Sequence, residues 1–311
     1  TLFPEYPCIQ KNILFWEGIY GKYGTDQGVL HDSDDLGRIY AVLSLVDQTA
    51  PNAATINNER IAQGKARISD ILQQLAAGRP PVTAEARRIA ALFPRKHSSN
   101  YLAACDTLRF QLGQKDRFRE GVIRSGKYLP AFRKILAKHH LPPDLVYLPH
   151  VESSYNPKAY SKAGAAGLWQ LTRATGSDYL NINASIDERL DPYTATDAAA
   201  RLLKDNFEAL QSWPLALTAY NYGRAGMMRA VQSKGSYEAV FNSYDQGYFK
   251  FAARNFYAEF LAARRVAKSL ERNPGIALER PENLDSLRLH KAMTLKQVSL
   301  QTGLSSEILR R

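Results

Sequence analysis

Cysteine is scarce in this chain: Cys8 and Cys105 are the only two among 311 residues. Two cysteines cannot make a disulfide scaffold, and neither stands at a metal-ligand spacing. They could pair in an oxidising compartment, but Cys105 fits equally well on an apolar face with Leu102, Leu108 and Leu112, and that plainer reading is preferred. Long hydrophobic runs are also missing. None reaches the roughly 20 residues that a membrane helix needs. The opening TLFPEYPC lacks the basic start and apolar core of a signal peptide, so any export signal is expected outside this sequence. There is no glycine-rich phosphate loop and no nucleophile elbow, and His31, His97, His139, His140 and His290 form no ligand spacing. No metal and no other cofactor is expected.

What is present is an ordinary globular composition, 45% hydrophobic and 23% charged, enough for one large or two modest domains. Lys and Arg total 41 against 30 Asp and Glu, for a formal net charge of +11. That excess favours an anionic partner: nucleic acid, an acidic membrane surface or an anionic cell-wall polymer. The cations are spread in pairs such as Arg87-Arg88 and Arg264-Arg265, without an arginine-rich tract or a reading motif, so nucleic acid is not expected.

Helical patterns dominate, which predicts a mainly α chain. Residues 1–35, with Gly18, Gly21, Gly24 and Gly28, read as an irregular or short-helix arm, and Phe15 and Trp16 suggest that it packs onto something. IYAVLSLV is a short apolar segment within this helical reading. Ile61, Ile68, Leu72 and Leu75 mark one face of a helix over about 58–77, and further helices are expected at 84–93, 98–113 and 127–139. Leu168, Leu171 and Ala174 keep helical spacing up to Gly176, a candidate cap. In DPYTATDAAARLLKDNFEAL, Asp191 is the expected N-cap and Pro192 the first helical residue. The helix beginning at Pro214 ends at Gly223, and another is expected around 245–270.

The stretch Leu141–Gln170, LPPDLVYLPHVESSYNPKAYSKAGAAGLWQ, is the candidate seat of chemistry, centred on Glu152. Read as a helix opened by Pro142, Pro143 and Asp144, it puts Leu145 and Leu148 on the face that carries Glu152. Desolvation disfavours an ionised carboxyl and raises its pKa, which can turn a glutamate into a proton donor near neutral pH. Pro149 predicts a kink. His150 should point elsewhere and is not assigned as a relay.

VESSYNPKAYSKAGAAGLWQ, DERLDPYTATDAAARLL and LALTAYNYG together resemble the family 1 lytic transglycosylases of the membrane-bound lytic murein transglycosylase D type. The resemblance covers about 150–260. It implies a goose-lysozyme-like helical catalytic domain that cleaves the MurNAc-β-1,4-GlcNAc bond of peptidoglycan and leaves a 1,6-anhydro sugar. Glu152 matches the family's single acid/base. The substrate-binding residues carried over are Ser153 of the Glu-Ser pair, Ser161, Gly167-Leu168-Trp169-Gln170 at the Gly-Leu-Met-Gln motif, Tyr220 and Asn221 of Ala-Tyr-Asn-x-Gly, and Tyr257 as an aromatic lining the cleft. The implied domains are a helical extension at 1–126, a lysozyme-like catalytic domain at 127–272 and, at 273–311, a linker with a partial LysM-like segment. The implied partner is peptidoglycan glycan, at the periplasm or outer membrane of a Gram-negative bacterium, with any membrane anchor outside this sequence.

Ordinary glycosidases flank the bond with two carboxylates, whereas substrate-assisted enzymes manage with one. Asp187, Glu188 and Asp191 are assigned no catalysis, but they are the second-carboxylate candidates if water is the nucleophile, as in a goose-type muramidase. A non-catalytic cell-wall-binding scaffold is the reading from another class. Taken singly, Gly164, Gly167, Trp169 and Tyr220 could each be structural.

Overall fold

The computed structural model describes residues 1–282 and 287–310. The expected tail segment, 273–311, therefore includes 283–286 and 311, which lie outside the described residues. The chain forms two compact units, Thr1–Arg280 and Pro281–Arg311. The expected extension and catalytic segments share the first.

That first unit is mainly α. Its helices are α1 (Gln10–Gly21), α2 (Ala53–Ala76), α3 (Ala84–Ala91), α4 (Ser98–Asp106), α5 (Lys115–Ser125), α6 (Leu129–Lys138), α7 (Leu148–Ser153), α8 (Arg173–Gly176), α9 (Pro192–Leu210), α10 (Trp213–Tyr222), α11 (Arg224–Lys234), α12 (Tyr237–Ser243) and α13 (Phe251–Glu271). The strands β1 (Gln27–Asp32), β2 (Ile39–Ser44) and β3 (Leu108–Leu112) form an antiparallel sheet in the order β2-β1-β3.

The sheet departs from the helical reading of the sequence. IYAVLS is β2, and the helix expected over 98–113 stops at Asp106, after which the chain enters β3. An apolar run this short carries no period that separates strand from buried helix. Gly28 lets the Phe110 ring cover the middle strand, because a Cβ there would stand 2.0 Å from the ring. Leu30, Tyr40, Ile68, Leu72, Ile89, Phe93, Tyr101 and Ala104 make a second, smaller core between the sheet and α2, α3 and α4. Both cysteines are free. Cys105 packs against this core, but Leu102 is 51% exposed and does not share its face.

The main core is built around α13, in which Asn255–Ala258 and Phe260–Ala263 are all buried. Of the arm expected to be irregular or a short helix, Gln10–Gly21 is the helix α1, laid along α13, while Gln27–Asp32 is the unexpected strand β1. Phe15 and Trp16 are buried, as expected, and Asn12 Nδ2 donates to Asn255 Oδ1 at 2.8 Å. Arg265 of α13 pairs with Glu5 and Glu17, so the first 17 residues are tied to the last long helix. On α9, Asp191 accepts from Thr194 N at 2.6 Å and Pro192 opens the helix, as expected; the buried Ala195, Ala198, Ala199 and Ala200 allow close packing against α6 and α10.

In the second unit α14 (Leu295–Thr302) begins with a capping box between Thr294 and Gln297 and ends at Gly303, φ +72°. No helix among the described residues is long and apolar enough to cross a membrane.

Candidate active site

Glu152 lies in the last turn of α7. The approach is not one kinked helix: Pro143–Tyr147 is a 3-10 segment, and α-helical geometry begins at Leu148. Pro149 thus falls in the first turn, where a backbone N–H has no helical partner to lose, so it interrupts nothing. Leu145 and Leu148 are both fully buried, as expected.

The next residue of interest points elsewhere, as its position predicts. His150 is 1% exposed and sits among the rings of Phe118, Tyr155 and Tyr147, with centroids 5.0, 4.6 and 6.2 Å away. Burial, with the Arg124 charge added, pushes its pKa down to about 3, so it is neutral.

Immediately after Glu152 the chain reverses through two consecutive left-handed residues, Ser154 (φ 50°) and Tyr155 (φ 56°). Neither is glycine, so the turn must be held from outside. Arg124 of α5 holds it, donating from Nε to Tyr155 O at 2.8 Å and from Nη2 to Ser154 O at 3.0 Å. The Tyr155 hydroxyl donates to Val146 O at 2.6 Å and fixes the other side. α5 comes this close because residue 121 is glycine: a Cβ there would stand 2.5 Å from Ser154 O.

The Glu152 side chain is only partly accessible. Burial raises its pKa to about 8, with a further push from the charge of Glu259. Glu259, on α13, is likewise raised to about 8 by burial, against the pull of a hydrogen bond from Tyr20 and the charge of Arg109. Tyr20 Oη donates to Glu259 Oε2 at 3.3 Å. The field of Glu152 also reaches Tyr20 and Tyr220 and raises both phenols further, so the two carboxyls and two tyrosines form one electrostatic cluster.

Sequence reasoning missed Glu259, Tyr20 and Arg124. A signal existed for the first: Glu259 is the one charged residue in FYAEFLAA, a stretch too uniformly apolar to turn one face to water.

Of the expected substrate-binding residues, several hold the scaffold. Ser153 Oγ donates to Leu168 O at 2.8 Å, and Tyr220 Oη donates to Trp169 O at 2.7 Å, which fastens the Gly167–Gln170 turn to α7 and α10. Gln170, at φ 48°, donates from Nε2 to Gly167 O at 2.8 Å and to Ala159 O at 3.2 Å. The expected helix through Leu168 and Leu171 is absent; α8 starts only at Arg173, behind the cap Thr172. Ser161 is exposed and its hydroxyl accepts from Ala165 N at 3.0 Å, closing the neighbouring turn, while Asn221 is exposed at the end of α10.

Three residues are too enclosed to meet a sugar. Leu168 is 1% exposed and Trp169 is fully buried, its indole N–H donating to Thr196 Oγ1 at 2.7 Å. Tyr257 is also fully buried, and its hydroxyl donates to Pro4 O at 2.8 Å. The ring of α13 that stacks on Tyr220 is Phe256, with centroids 6.4 Å apart.

The second-carboxylate candidates beyond the loop are occupied. Asp187 pairs with the buried Arg189 through two contacts of 2.8 and 2.7 Å, Glu188 accepts from Asn181 N at 2.7 Å, and Asp191 caps α9. What the cluster offers chemically is a partly open carboxyl that keeps its proton near neutral pH, beside a second carboxyl with its own hydrogen-bond donor.

Residues 130–240 match the family model described as the transglycosylase SLT domain. The membrane-bound lytic murein transglycosylase D of Escherichia coli is 31% identical over 144 residues, covering 41% of this chain and 32% of that protein. The membrane-bound lytic murein transglycosylase F of Serratia proteamaculans is 34% identical over 112 residues, 33% of this chain and 22% of that protein. The chain thus spans about a third or less of the length of these curated relatives. A solved structure of an inactive mutant of the lytic transglycosylase Slt from Pseudomonas aeruginosa is 15% identical, covers 73% of this chain and 35% of that one, and superposes with a TM-score of 0.41.

Proposed function

We propose, from the match of residues 130–240 to the transglycosylase SLT domain model and from the surroundings of Glu152, that the chain is a peptidoglycan lytic transglycosylase with Glu152 as its acid and base. The observation that carries this reading is the state of Glu152: a partly accessible carboxyl whose burial holds it protonated up to about pH 8. Such a group can protonate the GlcNAc oxygen as the bond to the MurNAc anomeric carbon breaks. The MurNAc N-acetyl carbonyl stabilises that carbon in place of a protein nucleophile. Ionised Glu152 then takes the proton from the sugar's own C6 hydroxyl, whose oxygen closes on the anomeric carbon. The 1,6-anhydro ring is formed, Glu152 regains its proton, and no water is consumed.

Ser161 and Asn221 are exposed polar side chains of the motif stretches left to meet the glycan or its peptides, and Gln170, whose amide nitrogen donates to Gly167 O and Ala159 O, offers its amide oxygen as an acceptor. Tyr220 contributes its place beside Glu152. The net charge of +11 suits an anionic wall polymer, which supports a cell-envelope setting. In the second unit, α14 serves as the helical part of a LysM-type glycan-binding module.

Hydrolysis by water is the second reading, and Glu259 is the observation behind it, because a glycosidase of the ordinary kind uses two carboxyls. Mass spectrometry of muropeptides released from purified sacculi separates the two. Anhydro-MurNAc ends are expected, and reducing MurNAc ends alone would sink the transglycosylase. Glu152→Gln keeps the size and removes the proton, so a loss of about a hundredfold or more is expected. Unchanged turnover in that variant would rule out the mechanism.

A further inference from the structure

The neighbourhood of Glu259 is unlike that of Glu152 in one respect that decides where a proton sits. Glu259 accepts a hydrogen bond from the buried hydroxyl of Tyr20 at 3.3 Å. It also lies within the field of Arg109, an exposed residue of β3 whose guanidinium rests over the Phe251 ring at 4.1 Å. Both favour a negative charge on Glu259. Glu152 has neither: what surrounds it is apolar burial, the charge of Glu259 and the phenols of Tyr20 and Tyr220. α5 contributes Phe118, stacked on Tyr20 at 4.7 Å, and the far side of α7 carries the neutral His150.

α7, which carries Glu152, packs against α13, which carries Glu259; two carboxyls so placed in an apolar site resist double ionisation, so over a range of pH they share one proton and one charge. We propose that Glu259 is a positioning residue that carries the shared negative charge, held by Tyr20 and Arg109, and thereby keeps the transferable proton on Glu152. Unequal surroundings thus sort two chemically identical groups into a charged partner and a proton donor. The device depends on residues well before the matched domain, with Tyr20 on α1 and Arg109 on β3. This inference rests on the transglycosylase reading for its kinetic consequence, but the placement of the proton does not.

The direct test is carbon NMR of the side-chain carboxyls in the unmodified protein, assigned with Glu152→Gln and Glu259→Gln. Glu259 is expected to ionise at the lower pH and Glu152 at the higher. Ionisation of Glu152 first overturns the proposal, whether or not the protein cleaves sacculi. In Tyr20→Phe the gap between the two is expected to narrow, and an unchanged gap removes Tyr20 from the device. For activity, Glu259→Gln deletes the charge that keeps Glu152 protonated, so the alkaline limb of kcat/KM should move toward acid by about one pH unit, roughly a tenfold loss above the limb. In acid both carboxyls are protonated anyway, so the loss in the variant should be smaller there than above the limb. A loss uniform in pH marks a structural role, and an unmoved limb marks none; either result overturns the proposal. Wild-type protein inert on sacculi would count against the transglycosylase reading, while the NMR order would still judge the pair.

Discussion

A Cβ at position 167 would stand 1.9 Å from the carbonyl oxygen of Arg189, at φ +76°, so this glycine meets both a steric and a conformational demand. Gly164, at φ +80°, has nothing within 4 Å and meets only the second. Gly167→Ala is therefore expected to destabilise by about 3 kcal/mol or more, and Gly164→Ala by about 1 kcal/mol. Urea denaturation of the two variants checks the ranking, and equal losses would contradict it. The sequence left both as candidate structural glycines but could not rank them, because the obstacle is a carbonyl 22 residues away in the chain. The burial ahead of Glu152 was legible for a local reason: Leu145 and Leu148 stay buried even though the helix type changes between them. Tyr257 was misread because α13 is buried around most of its circumference, so aromatic identity does not tell which ring meets Tyr220.

α5 and the turn after α7 depend on each other. Gly121 lets the helix approach, and Arg124, one turn on, donates twice to the carbonyls of the reversed residues. Gly121→Ala must push the helix off Ser154 O, and Arg124→Gln leaves Ser154 O and Tyr155 O with weaker partners. Each is expected to cost about 1–3 kcal/mol and to lower turnover by displacing Glu152. Because both act on one turn, the double variant should lose less than the sum, and strict additivity in thermal unfolding would show the contacts to be independent. None of this was legible, since RFREGVIRSG reads as an ordinary amphipathic helix. The small sheet was hidden for a related reason. Its strands are too short to show a period, and their pairing joins residues 27–32 to 108–112 across most of the first third of the chain.

For the whole molecule, the mainly α character followed from pattern, but the closure of α1 and the sheet onto α13 did not, because it rests on single polar contacts such as Asn12 with Asn255 and Tyr20 with Glu259. That closure buries opposite kinds of titratable group, and it sets how stability varies with pH. His31 and His150 titrate in the folded protein at about 4 and about 3, against an ordinary 6.5, because burial disfavours their charged forms. Their stabilising contribution is fully present above pH 6.5 and is lost as pH falls toward their folded values. Glu152 and Glu259 are raised from 4.5 to about 8, so their contribution is present below pH 4.5 and lost as pH rises through about 8. Between pH 4.5 and 6.5 the unfolded chain holds two protons on these histidines while the folded one holds two on these glutamates, and the slopes cancel. Stability should therefore be level over that window and fall on both sides, on the order of 3 kcal/mol per pH unit where both groups of a pair contribute. The lowered carboxyls of Asp187 and Asp197 steepen the acid side. Urea unfolding between about pH 3.5 and 8.5 would trace this profile, with Glu259→Gln flattening its alkaline arm. Stability that rises from pH 6.5 to 8 would mean that the two glutamates are not held protonated by the fold.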